Sequence, residues 1–177
     1  MSTKRQLIEA ASRVILTKGV NNLTLNAVAE EAKVSKGGLL YHYGTKDALI
    51  IAMNQHVIEG FHLYIQENVD KGYTYHKAYL HATLEMVSER TNLFDITTSL
   101  LAAIATNHDV LNLWREEYNF LNEKFAQEDY PREYTLLVKS VCDGLWFSKL
   151  FHFNHMSHQD EQVVISYLLD LIGEGGN

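Results

Sequence analysis

Lys36, Tyr41, His42 and Lys46 stand close together around the glycine pair Gly37-Gly38, in the stretch KVSKGGLLYHYGTKDAL. Ammonium, phenol and imidazole groups donate hydrogen bonds to phosphate oxygens and to base edges. The glycines need a reason of their own, because each costs about 1 kcal/mol relative to alanine inside a helix. Backbone without side chains can approach a sugar-phosphate strand or a groove floor closely. Thr24, Ser35 and Thr45 each precede an apolar segment in the position of a helix N-cap. A helix N-terminus carries unpaired N–H groups and partial positive charge, which suits a phosphate. Taken singly, a double glycine marks a loop and a lysine is solvated. Together the residues point to DNA contact.

The elements that must hold these groups read as short helices. Leu7, Ile8, Ala11, Val14 and Ile15 form an amphipathic stripe over residues 4–18, which Gly19 stops. A second helix is expected over 25–32 and a third from Lys36 to about Tyr43, with Leu39 and Tyr43 turned inward. Three short helices with a tight connection between the last two read as a helix-turn-helix. A long fourth helix starts at Lys46 and breaks at Asp70-Lys71-Gly72. Further helices are expected over 74–90 and 93–105. The next opens at Asn107 or Asp109 with a stripe at Leu111, Trp114, Tyr118, Leu121 and Phe125. Pro131 suits the first turn of a helix running to Phe151, and Glu161 to Ile172 forms the last.

A chain of 177 residues can bury a real core, and 46% hydrophobic content is ordinary for a globular protein. No apolar run is long enough to span a bilayer, and no signal-peptide pattern opens the chain. Cys142, the lone cysteine, supports no disulfide framework, so a cytoplasmic location is expected. The net charge of −7 argues against a chain that coats nucleic acid along its length. Residues 1–47, however, hold seven Lys/Arg against four Asp/Glu, a net of +3, which leaves −10 for the remainder. Only the head is suited to a polyanion.

The segment LTLNAVAEEAKVSKGGLLYHYGTKDAL resembles the helix-turn-helix of the tetracycline-repressor (TetR) family of bacterial transcription regulators. The resemblance lies in Thr24, Val28-Ala29, Glu31-Ala32, Val34-Ser35, Leu39, Tyr41, His42, Tyr43, Lys46 and Leu49. It implies an all-α fold: a helix-turn-helix DNA-binding domain over 1–47 and a helical effector-binding and dimerisation domain over 48–177. Two positions depart from the family. Lys33 stands at the turn where glycine is common and must accept or avoid a left-handed conformation. Leu40 replaces a phosphate-reaching tyrosine and is expected to read a thymine methyl instead. The expected DNA contacts are Thr24, Ser35, Lys36, Gly37, Gly38, Leu40, Tyr41, His42, Thr45 and Lys46.

In the resemblance, the acidic body carries a ligand cavity and a dimer interface. Its many aromatics are either plain core or the wall of an apolar pocket. Met86, Phe94, Trp114, Tyr118 and Trp146 are the candidate effector contacts. CDGLWFSKLF resembles the family's penultimate, dimer-forming helix, and Gly144 and Ser148, four apart, allow close helix approach. Gly144, Trp146, Phe147, Leu150 and Phe151, with Val164, Tyr167, Leu168 and Leu171 on the last helix, are the candidate dimer face. Two-fold symmetry suits a palindromic operator.

His152, His155 and His158 cluster in HFNHMSH, but no cysteine or carboxylate cluster joins them, and a polar linker is the simpler reading. No metal or cofactor is expected. No nucleophile–base ordering, nucleotide loop or metalloprotease motif appears, so an enzyme is not expected. The expected function is a homodimeric repressor released from its operator by a small apolar or aromatic effector. The rival reading is a helical small-molecule-binding protein or enzyme without a DNA role.

Overall fold

The computed structural model describes residues 3–87, 107–151, 153 and 156–174. Within them the regular elements are all helices: α1 Thr3–Lys18, α2 Leu25–Glu31, α3 Lys36–His42, α4 Lys46–Asp70, α5 Tyr75–Val87, α6 His108–Phe125, α7 Arg132–Leu150 and α8 His158–Glu174. This is the expected all-α fold. The helix expected over 93–105 lies outside the described residues. No described helix is long and apolar enough to cross a membrane.

Local chemistry sets most helix ends. Thr24 Oγ1 accepts from the Ala27 N–H at 3.1 Å, Ser35 Oγ from Gly38 at 3.1 Å and Thr45 Oγ1 from Ala48 at 3.0 Å. Asn107 opens α6, its Oδ1 accepting from the N–H groups of Asp109 and Val110. Pro131 stands one place earlier than expected, as the residue before α7, where its missing N–H costs nothing. Helix α8 starts a turn earlier than the sequence suggests. Ser157 Oγ and the Asp160 carboxylate form a reciprocal cap there: Asp160 N–H donates to Ser157 Oγ and Ser157 N–H to Asp160 Oδ2.

The turn between α2 and α3 is closed by two backbone bonds, Lys33 N–H to the Glu30 carbonyl and Val34 N–H to Ala29. This is a Schellman motif, and it requires a left-handed residue after the helix. Lys33 accepts that conformation with φ of 56°, the sole non-glycine residue with positive φ among those described.

The described chain forms two compact units. The first comprises residues 3–57 and 107–115. Helix α1 packs on α2, and α2 on α3. Leu7, Val14, Val28 and Leu39 have no exposed surface, with Leu23 and Tyr43 close behind. Arg13 Nε bonds the Glu31 carboxylate at 2.8 Å across α1 and α2, which holds the Glu31 carboxyl below its ordinary range.

The second unit comprises residues 58–87 and 116–174. Helix α5 packs against both α7 and α8 and is buried along most of its length. Phe61, Tyr79, Phe125 and Trp146 interlock edge to face, with Phe61–Trp146 centroids at 5.7 Å and Tyr79–Phe125 at 5.1 Å. His76 is buried beside them. The Glu128 carboxylate meets His76 Nδ1 at 2.7 Å and accepts from the N–H groups of Tyr75 and His76, capping α5 from outside its own sequence neighbourhood. Thr135 Oγ1 completes the ring's contacts, 2.8 Å from Nε2.

Candidate nucleic-acid interface

Helix α3 is short, so its orientation depends on what it buries. Leu39 has no exposed surface and Tyr43 is 7% exposed, which anchors one face in the first unit. The opposite face carries Lys36, Gly37, Gly38, Leu40 and Tyr41, all exposed, with Tyr41 at 86%. Its phenol is therefore free to meet a partner outside the chain. His42 is half-buried, its ring edge-on to Tyr41 at 5.1 Å. Thr24, Ser35, Thr45 and Lys46 are exposed as well. A Cβ built on Gly37 meets no atom within 4 Å, whereas one on Gly38 would stand 3.2 Å from Ser35 Oγ. Gly37 is therefore bare for reasons outside the packing of this chain, and Gly38 leaves room for its own helix cap.

The described candidate effector residues are buried or engaged within the chain. Met86 is fully buried. Trp114 Nε1 donates to Asn54 Oδ1 at 2.9 Å, Tyr118 donates its hydroxyl to Asp143 at 2.8 Å, and Trp146 is edge-on to Phe61. Phe94 lies outside the described residues. None of the four described residues lines the open cleft of about 480 Å³ in the second unit. Its wall comes from the later part of α4, the α4–α5 turn and the end of α6, and includes His62, Leu63, Tyr73, Tyr75, Phe120 and Glu128.

None of these wall residues is among the candidates legible in the sequence. Behind the wall, Glu117 is 7% exposed and meets His62 Nε2 at 2.7 Å. Glu117 stands four residues before Leu121, on the inward stripe of α6. A carboxylate at core spacing was the signal available in the sequence.

The candidate dimer face is mixed. Leu150 and Leu168 are 6% and 2% exposed, packed within their own unit, and Trp146, Val164 and Leu171 are half-buried. Gly144, Phe147, Phe151 and Tyr167 are exposed. Leu136 and Leu137 extend the open stripe on α7, and Phe153 stacks on Phe151 at its end, ring centroids 5.3 Å apart.

Other candidate chemistry stays modest. Cys142 is fully buried and burial pushes its thiol up to about 12, far from an activated thiolate. No group of three metal-ligating side chains occurs among the described residues, from which His152 and His155 are absent. His158 stands 3.4 Å from the Glu161 carboxylate.

Comparison with known proteins covers both units. Residues 7–53 match the family model described as bacterial regulatory proteins, tetR family, and residues 74–173 match the tetracyclin repressor-like C-terminal domain. The HTH-type transcriptional regulator LuxR of Vibrio harveyi is 24% identical over 116 residues, 66% of this chain and 50% of the relative. The HTH-type transcriptional regulator TtgR of Pseudomonas putida is 39% identical over 51 residues, 29% of this chain and 24% of that protein. The chain thus spans half or less of the curated relatives it matches. Among solved structures, a transcriptional regulator of Rhodococcus sp. Rha1 superposes with a TM-score of 0.73 at 17% identity, covering 97% of this chain and 96% of that one. The multidrug binding protein EbrR, complexed with malachite green, gives 0.65 at 24%, covering 93% and 96%. With its second family match alone covering more than half of its length, the chain belongs to the TetR family of bacterial regulatory proteins.

Proposed function

We propose that the chain is a DNA-binding transcriptional repressor, with residues 1–47 as the DNA-binding head and 48–177 as the effector-binding and dimerisation body. Helix α3 enters the major groove. The observation that carries this reading is its open face, where Lys36, Gly37, Leu40 and Tyr41 are exposed while Leu39 fixes the opposite side. Lys36 and Lys46 supply charge to phosphates, Leu40 offers an apolar contact to a thymine methyl, and Tyr41 and His42 offer hydrogen bonds. The positive head on an acidic body agrees with contact through the head alone.

Two copies joined through the exposed face of α7 and α8 would present two heads to a palindromic operator, with half-sites ~34 Å or a multiple apart. A small aromatic effector in the body then changes the separation of the heads, to the extent that it binds one separation better than the other. The aromatic class is supported by the EbrR neighbour, which takes malachite green. A DNA partner agrees with a cytoplasmic location.

A mobility shift on the promoter region beside the gene tests the reading. Binding is expected to be saturable, and raising salt is expected to weaken it steeply. Gly37→Leu should abolish the shift with unchanged melting, since the added side chain meets open space within the chain. Lys46→Ala should weaken binding on all sequences alike and lower the salt slope by about one. A purified protein that ignores this DNA at low salt would instead favour a helical small-molecule-binding protein without a DNA role.

A further inference from the structure

The connection between α2 and α3 is occupied against its own backbone preference. Lys33 follows the Ala32 C-cap with φ of 56°, a place where glycine or asparagine is the usual residue. The left-handed region penalises a side chain and spares glycine. At the two other left-handed positions among the described residues, after α1 and after α4, the chain uses Gly19 and Gly72. A strained residue that persists points to a task outside the turn that holds it.

Contacts within the chain do not account for the lysine. Among the described residues its ammonium group makes no hydrogen bond or ion pair. The Glu31 carboxylate two places earlier is taken by Arg13 at 2.8 Å. The negative end of the α2 dipole favours a cation here, but on an exposed residue that effect is smaller than the left-handed penalty. Like charge works the other way: from Ala32 to Lys46 the chain holds Lys33, Lys36 and Lys46 and no carboxylate. What the position offers is access. Lys33, Ser35, Lys36 and Gly37 are all exposed, and the extended backbone of Ser35 leads from the turn into the entrance of α3. An ammonium group on a flexible four-carbon stem, two residues before that entrance, is suited to a phosphate flanking the groove.

We propose that Lys33 is a further DNA contact, whose ammonium group neutralises a backbone phosphate beside the groove that α3 enters, and that this contact retains a strained lysine where glycine would fold better. The inference rests on the reading of α3 as the recognition helix and adds a contact outside that helix. A phosphate contact carries no base information, so it strengthens operator and unrelated DNA alike. The backbone bonds from Lys33 to Glu30 and from Val34 to Ala29 close the turn whatever side chain it carries. The lysine can therefore be exchanged without moving α3.

Fluorescence anisotropy of the full chain with two labelled duplexes, the promoter region beside the gene and an unrelated sequence of equal length, tests the contact across a salt series. Lys33→Gln removes the charge and keeps the side chain in its left-handed position. It should weaken binding to both duplexes by about five- to tenfold at ~100 mM salt and lower the salt slope by about one. Lys33→Gly should lose affinity to the same extent although its urea midpoint rises, which separates the contact from folding. Lys33→Arg keeps the charge and should bind within about twofold of the parent. Parent-like affinity and slope in Lys33→Gln or Lys33→Gly overturn the proposal. So does a loss confined to the promoter duplex, which would make Lys33 a reader of bases, or a loss in Lys33→Arg equal to that in Lys33→Gln. The two readings fail in different ways. A parent chain that binds DNA with no effect of Lys33→Gln keeps the regulator and loses this contact. A parent chain that ignores both duplexes at low salt loses the regulator and the contact with it.

Discussion

Lys33 carries the backbone strain of the recognition turn. Its φ of 56° lies in the left-handed region, where a side chain costs about 1–2 kcal/mol that glycine avoids. The Schellman bonds around it, Lys33 N–H to Glu30 and Val34 N–H to Ala29, hold the residue there. Replacing Lys33 by glycine removes the strain but also makes the unfolded chain more flexible, and the two effects oppose each other. A net stabilisation of about 0.5–1 kcal/mol is expected for Lys33→Gly, read as a raised denaturation midpoint in urea with unchanged slope. A lower midpoint would mean that the lysine side chain contributes something the turn geometry does not reveal. The three caps at Thr24, Ser35 and Thr45 were legible in the sequence because each bonds an N–H three residues away. The partners of Tyr75, His76 and Glu117 were not. His62 and Glu117 are 55 residues apart, and His76 and Glu128 are 52 apart. Only the packing of separate helices brings them together.

Helix α5 shows how an element can be legible in outline and hidden in role. Its start near residue 74 follows from local pattern, but its burial along most of the described length does not, because Tyr75, His76 and Lys77 make a polar first turn. Glu128 makes that turn possible by accepting from the first amides and meeting the buried His76 ring. Burial depresses the pKa of His76 below its ordinary 6.5, against the opposing pull of the Glu128 carboxylate. The unfolded chain therefore takes up a proton near pH 6.5 while the folded chain resists it down to the lowered value. Stability from this residue is fully present above that window and is lost as pH falls through it. His81 acts in the same direction, depressed by burial and by Lys77 and Lys71. The melting temperature should fall as pH drops through and below 6.5, and His76→Gln should show a shallower fall, with His81 contributing to what is left. An equally steep fall in the variant would place the pH response elsewhere.

At the scale of the molecule, the sequence pointed to a dimer face on the last two helices, and folding divides that face. Leu150 and Leu168 serve the core of their own unit, while Phe147, Phe151 and Tyr167 remain open at 49–64% exposure. Helical periodicity alone marks residues as apolar and on one side; it does not say whether the neighbour belongs to the same chain. Trp146, edge-on to Phe61, is therefore a poor place to test association, because a charge there would damage the fold as well. Phe147 is the cleaner choice. Phe147 stacks on Phe151 with ring centroids 6.4 Å apart, in an open apolar row that water covers only at a cost. A carboxylate placed in the middle of such a face would be desolvated in a dimer and hydrated in a monomer, so Phe147→Glu opposes association by about 2–4 kcal/mol without unfolding the chain. Sedimentation at micromolar concentration should show monomer for the variant and dimer for the parent. Because two joined heads gain effective concentration on a two-fold site, the monomer should also lose operator affinity by about a hundredfold, while each head keeps its sequence preference. A variant that remains dimeric with full operator affinity would move the interface off this face.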